Sequence, residues 1–271
     1  MADTKTVAPK EGAPTRFWNW LTDTQAWRSI FRHDMPTTDR NRVLVMLSNV
    51  FLHLHPVRIR KSGVKLRYTW CMGGLSFFLF LSLTLTGLLL MFYYRPTLEY
   101  AYTDIVGLRE HVPLGIMREM HRWGAHAMVI TVWLHMFRVF MTGSYKPPRE
   151  FNWSVGVVML VLTLLLSFTG YLLPWDQLAI WAITVGSNMA RATPLAGNEG
   201  PFAAQLQVQG VNLVTAGNDA RFGLLGGRIV GANALLRFYV LHCVAFPLVA
   251  AFLMAVHFWR VRKDGGISGP L

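Results

Sequence analysis

The sequence predicts an all-α membrane protein, a transmembrane four-helix bundle with both termini on the cytoplasmic side. Three observations carry that expectation. Of 271 residues, 53% are hydrophobic and only 15% charged, well below the roughly one quarter usual in soluble domains. Four uncharged or nearly uncharged runs approach or exceed the roughly 20 residues that cross a hydrocarbon core. The surplus of Lys+Arg over Asp+Glu, 26 to 14, sits at the ends of those runs and not in one patch, which favours membrane topology and argues against nucleic acid as a partner. Two cysteines, Cys71 and Cys243, both within apolar stretches, cannot build a disulfide scaffold or a Cys/His zinc site.

Residues 1–67 form an N-terminal extension with twelve Lys/Arg against five Asp/Glu. Its first 15 residues are polar and read as flexible, and no apolar stretch with a cleavage site marks a removable signal peptide. The cluster VLVMLSNVFLHL at 43–54 is too short to cross; an interfacial helix and local packing are equally open. The bundle, 68–262, follows. Its first span, about 68–94, contains 27 residues without charge between Arg67 and Arg95. The second, about 117–141, has only 15 uncharged residues between Arg122 and Arg138, so its arginines lie near the ends, where they snorkel or meet anions. The third, about 151–175, and the fourth, about 237–260, contain 25 and 22 uncharged residues. The connections 95–120 and 176–236 are near charge balance, whereas Lys146, Arg149, Arg260, Arg262 and Lys263 keep the remaining link and the tail 263–271 basic. Positive residues accumulate inside, which puts both termini there. The enlarged outer loop opens with a surface helix over 175–185, and its Gly-rich part 186–233 reads as loop.

Five of the nine histidines fall in the spans: His121, His126 and His135 in the second, His242 and His257 in the fourth. Ionisable groups are scarce there without a purpose. His121 and His135 are 14 residues apart, roughly 21 Å along a helix and about 40° short of four turns, so they share a face at two depths. His242 and His257 are 15 apart with Pro247 between them; a proline kink or a local bulge absorbs the extra residue. The two spans run in the same direction, so His121 lies level with His242 and His135 with His257. Two imidazole pairs stacked in a bundle suit two bis-histidine haems of b type, with no open iron position and hence electron transfer as the chemistry. His126, five residues past His121, lies on another face and reads as structural.

Gly73 and Gly87 in the first span, and Gly156 and Gly170 in the third, repeat the interval of 14. Small residues at those levels leave clearance for flat macrocycles, Gly73 and Gly156 at the inner one and Gly87 and Gly170 at the outer; ordinary small-residue helix packing is the competing explanation. Arg118 and Arg138 stand three residues from a candidate ligand and suit haem propionates.

With these residues on the page, the stretches MREMHRWGAHAMVITVWLHMFRVFMTGSYKPPREFNWSVGVV, FTGYLLPWDQ and RFYVLHCVAFPLVAAFLMAVHFWRVRKDGGISGPL resemble the N-terminal four-helix half of cytochrome b, in its short, split b6 form. The likeness covers about 65–190 and 233–271. The resemblance implies the dihaem core subunit of a quinol:cytochrome c or plastocyanin oxidoreductase, with quinol oxidised at the outer side, electrons passing inward to a second quinone site, and protons translocated. It implies a low-potential haem at His121/His242 and a high-potential one at His135/His257. Pro174, Trp175, Asp176 and Gln177 would form part of the outer quinol pocket, and a Pro-Glu-Trp-Tyr motif, absent here, would lie on a subunit IV-like chain. Cys71, in YTWCMGG, matches the cysteine that carries a covalently attached c-type haem in b6-like proteins, and Arg262 matches a basic residue beside that haem. Cys243 has no such match and reads as packing. The implied partners are the subunit IV-like chain, a Rieske iron–sulfur protein, a c-type cytochrome subunit and membrane lipid in a dimeric complex, in a bacterial inner membrane rather than a thylakoid. The long N-terminal extension and the enlarged outer loop depart from the b6 pattern, as does the lack of an acidic residue upstream of Cys71; the loop is a candidate contact for an unusual redox subunit such as a multihaem cytochrome.

Two other functions compete: a dihaem membrane anchor of a quinone-linked dehydrogenase or hydrogenase, which leaves PWDQ and the paired glycines unexplained, and a haem-free proton-coupled transporter using the histidines as a relay.

Overall fold

The computed structural model describes residues 12–24, 37–48, 61 and 65–267. The chain divides into two compact units, Met1–His53 and Leu54–Leu271. In the first, α1 (Ala13–Asp23) starts with proline in its opening turn, where a missing N–H costs nothing. Its helical phase gathers Phe17, Trp20 and Leu21 on one face. α2 (Asp39–Ser48) is capped by Thr38, whose Oγ1 accepts from Asn41 N at 3.2 Å. It overlaps the start of the cluster expected to be helical over 43–54; residues 49–54 lie outside the described residues, as do 1–11 of the tail expected to be flexible and the final residues 268–271.

The second unit opens with the short α3 (Leu66–Thr69). Trp70 and Cys71 then break the helix with left-handed backbones, both at φ 51°. There follow α4 (Met72–Met91), α5 (Ala101–Glu110), α6 (Val112–Met141), α7 (Glu150–Leu172), α8 (Gln177–Arg191), a two-residue hairpin of β1 (Gln207–Val208) and β2 (Val211–Asn212), and α9 (Ala220–Leu225). The hairpin pairs Gln207 with Asn212 and Val208 with Val211. The last rod runs through α10 (Ala232–Val240), a π-helical turn at Leu241–Ala245, and α11 (Phe246–Lys263). Among the described residues four helices are long and apolar enough to cross a membrane: Met72–Met91, Val112–Met141, Glu150–Leu172 and Ala232–Lys263. The second and fourth begin five residues before the sequence expectation. Pro113 lies in the opening turn of α6, and α10 starts immediately after the extended Gly231.

α4 packs on α6, and α7 packs on α11 and the π turn. The fully buried apolar residues gather at one end of the bundle. Leu172, Ala179, Ile183, Leu225, Ala234 and Phe238 form one cluster, and Tyr94, Ala101 and Leu235 an adjoining one, with Leu173 and Trp175 packed against both. This end includes the long 176–236 connection, and here the structure departs most from the sequence reading. α8 does not stop at Val185 but continues to Arg191, because Ala179, Ile183 and Ser187 place a buried stripe along it at helical spacing. Asp176 caps its start by accepting Ala179 N at 2.8 Å. Asp219 caps α9 in the same way through Phe222 N at 2.8 Å, and Gly226, at φ 66°, ends it in a conformation that favours glycine.

Beyond α4 the chain turns on a charged clamp. Arg95 meets Asp104 of α5 through Nε at 3.0 Å, Nη2 at 2.7 Å and its own backbone N at 2.9 Å, and its guanidinium lies 3.7 Å above the Tyr100 ring. These side-chain hydrogen bonds from Arg95 hold the Asp104 carboxyl below the usual carboxylate range. A carboxylate depressed in the folded state contributes stability that is complete above the unfolded value of ~3.9 and is lost as pH falls through the lower folded value. Hydrogen-exchange protection across residues 95–104, corrected for the intrinsic pH dependence, should therefore be level from pH 8 to about 5 and fall below about pH 4. Asp104→Asn should lower it throughout and abolish the step.

Candidate functional site

His121 and His135 project from α6, and His242 and His257 from the last rod. The two histidine-bearing helices pack chiefly on α4 and α7, and their imidazoles meet between them. His121 and His242 have ring centroids 6.2 Å apart with planes at 77°; for His135 and His257 the values are 6.3 Å and 80°. The π turn that contains His242 makes these nearly equal pairs possible. A π turn takes one residue more than an α turn, which absorbs the difference between an interval of 15 on this helix and 14 on α6.

The proton positions on the outer pair follow from the hydrogen bonds. Thr86 Oγ1 donates to Ser82 O at 2.8 Å, so its oxygen is left to accept from His121 Nδ1 at 2.9 Å. Thr169 Oγ1 likewise donates to Leu165 O at 2.8 Å, and His242 Nδ1 lies 3.2 Å from that hydroxyl and 3.1 Å from the Leu166 carbonyl. A carbonyl only accepts, so His242 Nδ1 carries the proton. Both neutral rings then present an unprotonated Nε2, the form a metal binds. At the inner pair, His257 Nδ1 is buried with no hydrogen-bond partner among the described residues.

Three of the four repeated glycines lie against these rings. A Cβ on Gly73 would come 3.2 Å from His135 Cε1, on Gly87 3.1 Å from His121 Cε1, and on Gly170 2.5 Å from His242 Cε1. Gly73 thus lies at the level of His135, and Gly87 and Gly170 at the level of the His121/His242 pair. Gly156 is different: its nearest side-chain atom is Met136 Sδ at 3.5 Å, an ordinary contact. His126 Nδ1 bonds to Arg122 O at 2.8 Å, away from both pairs.

Of the candidate arginines, Arg118 pairs with its neighbour Glu119 at 2.6 Å. Arg138 sits 4.3 Å over the Tyr68 ring and donates from Nε to Tyr68 O at 3.4 Å; its Nη2 and the Tyr68 hydroxyl are both buried with no hydrogen-bond partner among the described residues. Cys71 is exposed at the break before α4. Arg262 lies in the last turn of α11. Trp175, after Pro174, takes a left-handed backbone at φ 52°, the Asp176 carboxylate is occupied as the cap of α8, and Gln177 is the first residue of α8. Cys243 is partly buried beside His242. Sequence reasoning missed Thr86 and Thr169. The available signal was the dipeptide Thr-Gly, present at 86–87 and again at 169–170: the threonine orients a ring and the glycine makes room for it.

The donor set can be tested for haem. A metal–imidazole bond of ~2.0 Å plus ~1.1 Å from nitrogen to ring centre on each side gives centroids ~6.2 Å apart across one metal. Both pairs have that spacing, two rings carry the tautomer ligation needs, and among the described residues the buried Arg138 Nη2 has no hydrogen-bond partner. The residues fit.

Four apolar helices with two such pairs define an integral-membrane electron-transfer bundle. A family model described as cytochrome b/b6/petB matches residues 58–200. The chain is 36% identical over 261 residues to the "Menaquinol:cytochrome c reductase cytochrome b subunit" of Bacillus subtilis (strain 168), covering 94% of this chain and 99% of that protein. It is 40% identical over 203 residues to "Cytochrome b6" of Prochlorococcus marinus (strain MIT 9303), covering 74% and 84% respectively. Among solved structures it resembles a chain of "Hyperthermophilic respiratory Complex III" with TM-score 0.65 and 25% identity, over 93% of this chain. The match spans only 56% of that chain. This chain therefore belongs to the cytochrome b/b6 family, which carries b-type haem.

Gly170→Ala should displace His242 and cost about 1–3 kcal/mol of stability, the usual penalty of overpacking, with the loss read from thermal melts and haem content. Thr86→Val should weaken haem retention about 10–100-fold, as removal of a ligand's hydrogen-bond partner does, measured by haem transfer to an apo-acceptor protein.

Proposed function

We propose that the chain is the cytochrome b subunit of a quinol:cytochrome c or plastocyanin oxidoreductase. Such a complex oxidises quinol at the outer side, delivers electrons across the bilayer to an inner quinone site and couples this to proton translocation. The observation that carries the reading is the doubled imidazole pair, with centroids 6.2 and 6.3 Å apart, in a chain of this family. Two b-type haems would be held, the outer by His121 and His242 and the inner by His135 and His257, and when bound they supply one-electron iron chemistry with no open coordination position.

The protein's own groups bind, orient and exclude. Thr86 and Thr169 hold the outer rings as Nδ1–H tautomers and leave Nε2 to ligate. Gly73, Gly87 and Gly170 admit the rings close to the helix backbones, and Gly156 keeps α7 slim at the inner level. Arg118 and Arg138 would pair with propionates, a role supported by the Arg138 Nη2, which has no hydrogen-bond partner among the described residues. Cys71 would carry a covalently attached c-type haem, with Arg262 beside it; the exposure of its thiol at a helix break supports that role. Pro174, Trp175, Asp176 and Gln177 would line the outer quinol pocket, with Asp176 shaping the turn as a cap rather than exchanging protons.

The Bacillus subtilis relative is named for menaquinol and cytochrome c, which supports a quinol donor and a c-type cytochrome acceptor. A subunit IV-like chain, a Rieske iron–sulfur protein and a c-type cytochrome would complete a dimeric complex in a bacterial inner membrane, with both termini cytoplasmic.

Dithionite reduction of the purified protein should give a b-type difference spectrum. Leucine at His121 or His242 should remove one component and leucine at His135 or His257 the other; four unaltered spectra would overturn the assignment. A haem stain on a denaturing gel should mark the wild-type chain and fail on Cys71→Ser.

A further inference from the structure

The entry to the Pro174–Gln177 turn is held by one side chain from outside α7 and α8. Tyr94, three residues past α4, is only 8% exposed, and its hydroxyl donates to the Leu173 carbonyl at 2.6 Å. Leu173 is the C-cap of α7, where carbonyls lack an intrahelical partner. Two residues on, Trp175 adopts a left-handed backbone, disfavoured for a bulky side chain and kept only where the surroundings over-determine it. The Tyr94 ring supplies part of those surroundings, packing in the cluster that holds Leu173 and Trp175. The same ring stacks on Tyr239 at 5.8 Å and 29°, and Tyr239 lies one helical turn before His242. Next to it, the Arg95–Asp104 clamp fixes the direction in which the chain leaves α4.

Tyr94 therefore touches both the helix that carries an outer histidine and the turn proposed to receive quinol. The Tyr94 hydroxyl holds the carbonyl of Leu173, the residue that leads into the turn, while Asp176 caps Ala179 N beyond it. We propose that Tyr94 is a positioning residue that holds the Pro174–Gln177 turn in register with the His121/His242 pair and so sets quinol affinity. The inference rests on the assignment of that turn to the outer quinol pocket.

The test uses the intact complex, with menadiol as donor and added cytochrome c as acceptor. Tyr94→Phe keeps the ring and removes the hydroxyl. The menadiol KM should rise about five-fold, the size expected from one lost hydrogen bond, with kcat within about two-fold and the haem difference spectrum unchanged. An unchanged KM in a Tyr94→Phe complex of normal spectrum overturns the inference. Trp175→Leu separates the two levels. If it raises KM while Tyr94→Phe does not, the pocket stands and the positioning role fails; if neither moves KM in a complex that turns over, the pocket assignment fails and the inference with it. Should Tyr94→Phe lose haem, Asp104→Asn, which loosens the clamp without touching Tyr94, becomes the readout: a raised KM supports positioning and an unchanged one overturns it.

Discussion

Two imidazoles must meet across a bundle, at each of two depths, from helices that pack chiefly on other partners. Most of the structure answers that constraint. The rings reach centroid distances of 6.2 and 6.3 Å because glycines on α4 and α7 let them approach the neighbouring backbones. Threonines beside two of those glycines fix ring orientation and protonation. The π turn puts His242 and His257 in phase with a helix whose own interval is one residue shorter. Each device alone has an ordinary explanation in membrane-helix packing. Their convergence on the same four rings does not.

The bundle's packing is uneven for a related reason. Fully buried apolar side chains concentrate at one end, where α8, α9 and the start of α10 close over the last turns of α7, and the membrane-spanning faces carry large exposed apolar residues such as Phe78, Leu85, Leu248 and Phe252. Exposed Leu and Phe along such helices are what a lipid solvent requires. The compact end is rigidified instead by specific polar contacts: two aspartate caps, the Arg95–Asp104 clamp and the Tyr94 hydroxyl on Leu173. They hold a turn whose tryptophan backbone local preference alone would not choose.

Much of this was legible in one dimension. The intervals of 14 between histidines and between glycines are visible without coordinates, because helical rise converts a count into depth. Of the two devices expected to reconcile 15 with 14, a proline kink or a local bulge, the structure shows a π turn at Leu241–Ala245. Other features were not legible. The length of α8 depends on Ala179, Ile183 and Ser187 finding a surface to bury against, and that surface is contributed in part by Leu225, Ala234 and Phe238, more than 35 residues later. Thr86 and Thr169 look like any threonine in an apolar helix until a ring nitrogen is seen 2.9 and 3.2 Å away. Asp176 reads as part of a functional motif, and the structure shows it also caps a helix.

The sequence by itself determined the number of spans, the charge asymmetry that would orient them, and which histidines share a level, because length, charge and helical period are properties of a chain read locally. Only the tertiary structure decided that His121 meets His242 and His135 meets His257, which glycine lies against which ring, where the Nδ1 protons of His121 and His242 go, and that Tyr94 reaches Leu173. Those outcomes depend on the rotation of each helix about its own axis against its neighbours. That rotation is chosen by packing among all four, and no interval within one helix contains it.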